Sequence, residues 1–141
     1  MNALDQLLSQ PPLVVAVLGF WFLAMVGVPI LKWTLGDGAE RVGISIGVLA
    51  QVTLVSVLLF LALPPARALV VVIAVPALGW ASEVLGSRSG VPFGKYHYTP
   101  VLQPQIADVP VLIPLAWLMM IPPAFAVGAA IAPSNQPLAL L

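Results

Sequence analysis

Four long apolar runs dominate this sequence and limit what it can fold into. They occupy residues 13–31, 42–63, 68–85 and 110–132, and the only charged residue within them is Glu83. A helix of about twenty apolar residues crosses the roughly 30 Å hydrocarbon core of a bilayer. The pattern therefore predicts an all-α integral membrane protein, a single domain over residues 1–141 with four transmembrane helices.

The composition supports this class and excludes several others. Hydrophobic residues make up 61% of the chain and charged residues only 7%, against about 25% charged residues in soluble domains. The formal net charge is zero, so there is no basic surface for nucleic acid. Because the chain contains no cysteine, disulfides, zinc–thiolate sites and cysteine nucleophiles are excluded.

Proline is frequent for a chain of helices, with 15 residues. Several prolines fall inside the apolar runs: Pro76, Pro114, Pro122 and Pro123. Membrane helices tolerate internal proline where neighbouring groups satisfy the freed backbone. We therefore expect several helices to be kinked, which favours cavities between them.

Basic residues predict the orientation. Four of the five lie in the loops at one end of the predicted bundle: Lys32, Arg41, Arg88 and Lys95. The positive-inside rule then places loops 32–41 and 86–109 in the cytoplasm. A bias towards Ala, Val, Leu, Gly and Pro is typical of bacteria with GC-rich genomes, so we expect a bacterial inner membrane.

The scarce polar chemistry gathers around Glu83 and the loop 86–109 that follows it. Acids within spans usually face the protein interior and mark function, and a carboxyl group can serve as a general acid. A structural alternative is a Glu83 that reaches water at the interface or pairs with Arg88. His97 is the only histidine and has no second histidine beside it, so we expect no metal site.

Spacing adds two further observations. Gly79, Trp80 and Gly86 share a helix face with Glu83, which suits either a flat ligand close to the backbone or close helix packing. Tyr96 and Tyr98 alternate, so both rings lie on one side of an extended segment. These tyrosines could orient Glu83 or a water molecule, or form an interfacial aromatic belt.

The stretch from Trp80 to Trp117 carries a specific pattern. It reads W-x-x-E-x-x-G-x-x-x-G-x-P-F-G-x-Y-x-Y-T and continues to V-P-x-x-I-P-L-A-W. This pattern resembles the N-terminal half of the carotenoid biosynthesis membrane proteins, the group with bisanhydrobacterioruberin hydratase and carotenoid 1,2-hydratases. The family's later D-x-x-x-D-P and V-P-x-x-N-x-x-G-W segments are not found in this sequence, so the resemblance implies a truncated or split form.

The resemblance implies addition of water to the terminal double bond of an acyclic carotenoid, with no cofactor. Glu83 would be the catalytic acid, assisted by Tyr96 and Tyr98. Aromatic rings could stabilise a carbocation through their π faces. The expected substrate-binding residues are Trp80, Gly86, Arg88, Gly90, Phe93, Gly94 and Trp117.

Two other readings remain open on the sequence alone. One is a non-catalytic subunit that binds carotenoid or packs within a larger membrane complex. The other is a carotenoid cyclase, which would share the protonation step. The expected partners are a carotenoid or another long isoprenoid, the lipid bilayer, and either a second copy of the chain or a second membrane subunit.

Overall fold

Four long helices form most of the protein. The computed structural model describes residue 9, residues 11–91 and residues 94–131. The helices are α1 (Pro12–Leu35), α2 (Asp37–Ala62), α3 (Pro65–Ser89) and α4 (Leu112–Ile131). Each is long and apolar enough to cross a bilayer, which confirms the prediction of an all-α membrane protein with four spanning helices.

The first connection is tighter than predicted. A polar turn was expected over residues 32–41, but α1 continues to Leu35 and α2 begins at Asp37. Only Gly36 separates them, with a φ of 82° that favours glycine. Lys32 pairs with Glu40 across this turn at 2.9 Å, so both charged groups lie on helices rather than in a loop.

Helix α3 extends beyond the predicted end at residue 85. It continues through Ser89, and Gly90 caps it in the left-handed conformation with its N–H bonded to the Gly86 carbonyl at 2.8 Å. Glycine commonly ends helices in this way because it has no Cβ to clash. Gly86 and Arg88 therefore belong to the last turn of α3, and the α3–α4 connection begins four residues later than predicted.

The helices differ in how many neighbours they have. α1 packs mainly against α2, whereas α2 also contacts α4 and, less extensively, α3, and α3 packs against α4. Gly43 and Gly47 of α2 are buried, and a Cβ on Gly43 would lie 3.1 Å from Val28 and Leu31 side-chain atoms of α1. This small-residue contact is typical of helix pairs in membranes.

Large apolar side chains cover the outside of the bundle. Leu23, Val70 and Met120 are 69%, 63% and 62% exposed, and every helix carries similar residues. Such extensive apolar exposure is unusual for a protein surrounded by water. The exposed faces of the helices are suited to lipid.

The connection between α3 and α4 folds back against these two helices. It contains a two-stranded antiparallel hairpin, β1 (Gln105–Ile106) and β2 (Val109–Pro110). Its two turn residues, Ala107 and Asp108, have φ values of 53° and 66°, the signs that a type I′ hairpin turn requires. Strand β2 contacts both α3 and α4 and is buried. Because Pro110 belongs to this strand, α4 begins at Leu112, two residues later than predicted.

Side chains anchor this hairpin. The Trp80 indole N–H donates to the Ile106 carbonyl at 3.1 Å. Trp80 lies nine residues before the end of α3, a distance of about 13 Å along the helix. The Gln105 amide donates to the Thr99 and Leu102 carbonyls at 2.8 and 3.1 Å. These bonds satisfy backbone groups that would otherwise be costly next to an apolar environment.

The expected orientation leads to a labelling prediction. Because the chain has no cysteine, a single cysteine reports its own location. Lys95→Cys, in the α3–α4 connection, should react with a membrane-impermeant thiol reagent in inverted vesicles. Arg67→Cys, at the opposite end of α3, should react with the same reagent in intact cells. Both positions are exposed. The opposite pattern would reverse the predicted orientation.

Candidate functional site

The carboxyl group of Glu83 accepts hydrogen bonds from three aromatic side chains. The Tyr96 and Tyr98 hydroxyls donate to Glu83 Oε2 at 2.6 and 2.8 Å. The Trp117 indole N–H donates to Glu83 Oε1 at 3.0 Å. Each carboxyl oxygen is therefore held by a directed partner, and the group has a defined orientation.

Three parts of the chain converge to make this cluster. Glu83 lies six residues before the end of α3 and Trp117 five residues after the start of α4. Tyr96 and Tyr98 lie in the irregular segment after α3, and both hydroxyls reach the same carboxyl oxygen. The two rings meet edge to face, with centroids 5.6 Å apart, a favourable arrangement for aromatic pairs.

Gly79 allows Trp117 to lie close to α3. A Cβ at position 79 would be 2.7 Å from the Cγ and Cδ1 atoms of Trp117 and 2.9 Å from its Cβ. Only glycine leaves room for this contact. Of the two interpretations of the small residues on this face, the structure places a neighbouring helix, rather than open space, against Gly79.

The two tyrosine hydroxyls stay protonated at neutral pH. The hydrogen bond to Glu83 raises the pKa of Tyr96 above its ordinary value of 10. Burial, followed by the hydrogen bond to Glu83, raises the pKa of Tyr98. A folded-state pKa above the unfolded value adds stability below pH 10 that is lost as the pH rises through the folded pKa. Both hydroxyls therefore remain donors at neutral pH.

The cluster can accommodate a proton on Glu83 without losing its contacts. Hydroxyls both donate and accept, whereas an indole N–H only donates. When Oε2 carries the proton, its O–H can donate a hydrogen bond to the oxygen of one tyrosine, while the other tyrosine hydroxyl still donates to Oε2. Trp117 would still donate to Oε1. The geometry is compatible with both protonation states, as a group that transfers protons requires.

An apolar groove runs along α4 beside the carboxyl group. Its volume is about 480 Å³, and Glu83 and Tyr98 line it together with one face of α4: Ile113, Ala116, Trp117, Met120, Ile121 and Ala124. From Ile113 to Ala124 the helix rises about 16 Å. A long apolar molecule could lie in this groove beside Glu83 and Tyr98.

A second pocket lies beside Tyr98 and has the opposite character. Its volume is about 380 Å³, and every described residue that lines it is polar: Ser87, Arg88, His97, Tyr98, Gln105 and Asp108. Tyr98 lines both the apolar groove and this polar pocket. Its ring is therefore part of the boundary between an apolar and a polar space.

The structure brings four of the predicted site residues together and places the others elsewhere. Glu83, Tyr96, Tyr98 and Trp117 form the cluster. Trp80 instead holds the hairpin, Gly86 and Gly90 shape the end of α3, and Gly94, with a φ of 83°, forms part of the turn after it. Arg88 lines the polar pocket and makes no ion pair with Glu83. Phe93 lies outside the described residues.

Several residues of the site were not predicted from the sequence. The α4 residues of the groove follow helical spacing around Trp117, so that periodicity was an available signal. The polar pocket, in contrast, brings His97, Gln105 and Asp108 together only because the α3–α4 connection folds back. No local pattern in the sequence indicates that contact.

The fold and the site define a multi-span membrane protein that holds a carboxyl group beside an apolar groove. Residues 42–140, which are 99 of the 141 residues, match the family model described as carotenoid biosynthesis protein. The chain belongs to this family, and α1 and the first turn of α2 lie outside the match. No curated protein and no solved structure matches the chain.

Proposed function

We propose that this protein hydrates the terminal double bond of an acyclic carotenoid, with Glu83 as the proton donor. The observation that carries the proposal is the Glu83 carboxyl group, held by three donors and lining an apolar groove. Membership of the carotenoid biosynthesis family supports the class of substrate. The hydratase activity itself, a lyase-type reaction without a redox cofactor, is the part to be tested.

The reaction needs one proton transfer in each direction. The protonated Glu83 gives its proton to the less substituted carbon of the double bond, the π bond breaks, and the tertiary carbon becomes positive. The oxygen of a water molecule bonds to that carbon, and the surplus proton returns to the Glu83 carboxylate. One water is added to each terminal double bond that reacts, and no electrons are gained or lost.

The aromatic cluster suits both charges that develop. Donors from Tyr96, Tyr98 and Trp117 stabilise the negative charge that appears on Glu83 as it releases its proton. The rings of Tyr98 and Trp117 line the groove and can stabilise the cation through their π faces. The remaining carboxylate provides an opposite charge close to the cation.

The groove fits a substrate that is dissolved in the bilayer. Its lining on α4 is apolar except for the Trp117 indole N–H, which already donates to Glu83. Met120 and Ile121 are exposed on the outer surface of the helix, so a hydrocarbon chain can enter from the lipid without crossing water. The proposal places the protein in a bacterial inner membrane, with the α3–α4 connection in the cytoplasm.

The first test is expression in bacteria that make lycopene, with the pigments separated by chromatography and weighed by mass spectrometry. We expect a product heavier than lycopene by the mass of one water, and a second product heavier by two. Unchanged lycopene beside a stably inserted chain would contradict hydration by this chain alone. It would favour a split enzyme that needs a second membrane subunit, or a binding role.

The tyrosine donors provide a further prediction. Tyr96→Phe or Tyr98→Phe keeps the ring but removes one donor to Glu83, so each should lower hydration roughly 10- to 100-fold, the effect of losing a hydrogen bond to a charged group. The measurement is product formed per amount of inserted protein. Normal turnover in both variants would exclude a role for the tyrosine hydroxyls in catalysis.

A further inference from the structure

The polar pocket beside Tyr98 has a polar lining that does not suit an apolar chain, yet Tyr98 itself bonds to Glu83. Hydration needs two reactants with opposite solubility, a hydrocarbon and water. The apolar groove provides a path for the hydrocarbon only. The second reactant therefore needs a separate route to the carboxyl group.

We propose that this polar pocket is the water chamber of the site, and that water reaches Glu83 past Tyr98 from the loop side. The inference rests on the proposed function and adds the route of its second substrate. Carotenoid would enter along α4 from the lipid, and water would enter through the pocket between the end of α3 and the hairpin. The two reactants would meet at Glu83 and Tyr98.

The lining of the chamber favours water over an ion. Arg88 and Asp108 bring opposite charges to the same pocket, so it does not select anions or cations. Ser87, Gln105 and the Tyr98 hydroxyl are neutral groups of the kind that hold ordered water, which usually needs two to four polar partners. A volume of about 380 Å³ has room for about a dozen water molecules at roughly 30 Å³ each.

The positions of the two spaces also agree with this route. Arg88, His97 and Asp108 are exposed and lie at the end of α3 or in the connection that follows, close to the aqueous side. Tyr98 is half-buried, with its hydroxyl 2.8 Å from Glu83 Oε2. Because Tyr98 lines both spaces, water in the chamber would reach the reacting carbon past this side chain.

Single cysteines can test whether water fills one space and not the other. Ser87→Cys lines the polar pocket and Ala116→Cys the apolar groove, and both are small changes at half-buried positions. A charged methanethiosulfonate, applied to membrane vesicles of both orientations, should modify Ser87→Cys at least about tenfold faster, because the reactive thiolate forms where water is present. Equal rates, or no reaction at Ser87→Cys, would overturn the water chamber.

The second half of the test measures hydration after labelling. Labelled Ser87→Cys should hydrate lycopene at least about tenfold more slowly than the unlabelled variant. Labelled Lys95→Cys, on the same connection but outside the pocket, should be unaffected. Labelling of Ser87→Cys without loss of hydration would also overturn the proposal. If the unlabelled protein forms no hydrate at all, the proposed function fails, while the reactivity of the two cysteines still decides whether water fills the pocket.

Discussion

Glu83→Gln is expected to abolish hydration, lowering product formation by at least about 100-fold, the usual contribution of a general acid. The amide has nearly the same shape as the carboxyl group. It can still accept from Trp117 and contact both tyrosine hydroxyls, so the cluster should remain folded. The variant cannot release a proton to carbon, which is the property that the proposed reaction needs.

The matched control is Glu40→Gln, which makes the same chemical change at the α1–α2 turn. Removing the charge of Glu40 breaks one exposed ion pair with Lys32, and such pairs contribute only about 0–1 kcal/mol to stability. We expect wild-type hydration from this control and similar membrane insertion for both variants. Pigment analysis in the lycopene-producing host provides the measurement. Full activity of Glu83→Gln would exclude Glu83 as the acid.

Gly79→Ala is expected to reduce both stability and hydration, although residue 79 touches no substrate in the proposed reaction. The added Cβ would lie 2.7 Å from Trp117 ring atoms and 2.9 Å from its Cβ, so the two helices or the indole must move. Overpacking of this kind costs roughly 1–3 kcal/mol. Displacement of Trp117 would also remove its hydrogen bond to Glu83, and we expect at least about a tenfold loss of product.

Gly27→Ala provides the comparison, since it is also a helical glycine but has no atom within 4 Å of the added Cβ. Alanine is the better helix former by about 1 kcal/mol, so the stability of this variant should be unchanged or slightly higher. Thermal unfolding of the detergent-solubilised proteins measures the difference. An unaltered Gly79→Ala protein would show that Trp117 does not need close contact with α3.

The spanning helices could be predicted because their formation depends on local properties. A long apolar stretch partitions into the bilayer and must form its backbone hydrogen bonds internally, whichever neighbours it later meets. Helix ends were less predictable. The α1–α2 connection consists of Gly36 alone, and α3 is one turn longer than predicted, ending before Gly90. In both places a single glycine with positive φ allows a compact helix ending, which hydropathy does not reveal.

Some features of the candidate site could also be predicted from local sequence, whereas others depend on contacts between distant residues. Glu83 stands out in the sequence as the only charged residue within an apolar run, and alternation alone places Tyr96 and Tyr98 on one side. Trp80 shares a helix face with Glu83 and is predicted to bind substrate; the structure shows its indole N–H bonded to the hairpin, and its contact with substrate stays a prediction. Spacing along one helix therefore identified the face but not which neighbour would occupy it.

The sequence alone was sufficient to identify a four-helix membrane protein with one acid and two tyrosines near the end of its third helix. Whether a segment partitions into the bilayer depends on the summed hydrophobicity of its own consecutive residues, so the sequence is enough to predict it. The contact between Glu83 and Trp117, 34 residues away, depends on how α3 and α4 pack at Gly79. The separation of an apolar groove from a polar pocket by Tyr98 depends on the hairpin folding back. Both arrangements join distant segments, and only the tertiary structure brings them together.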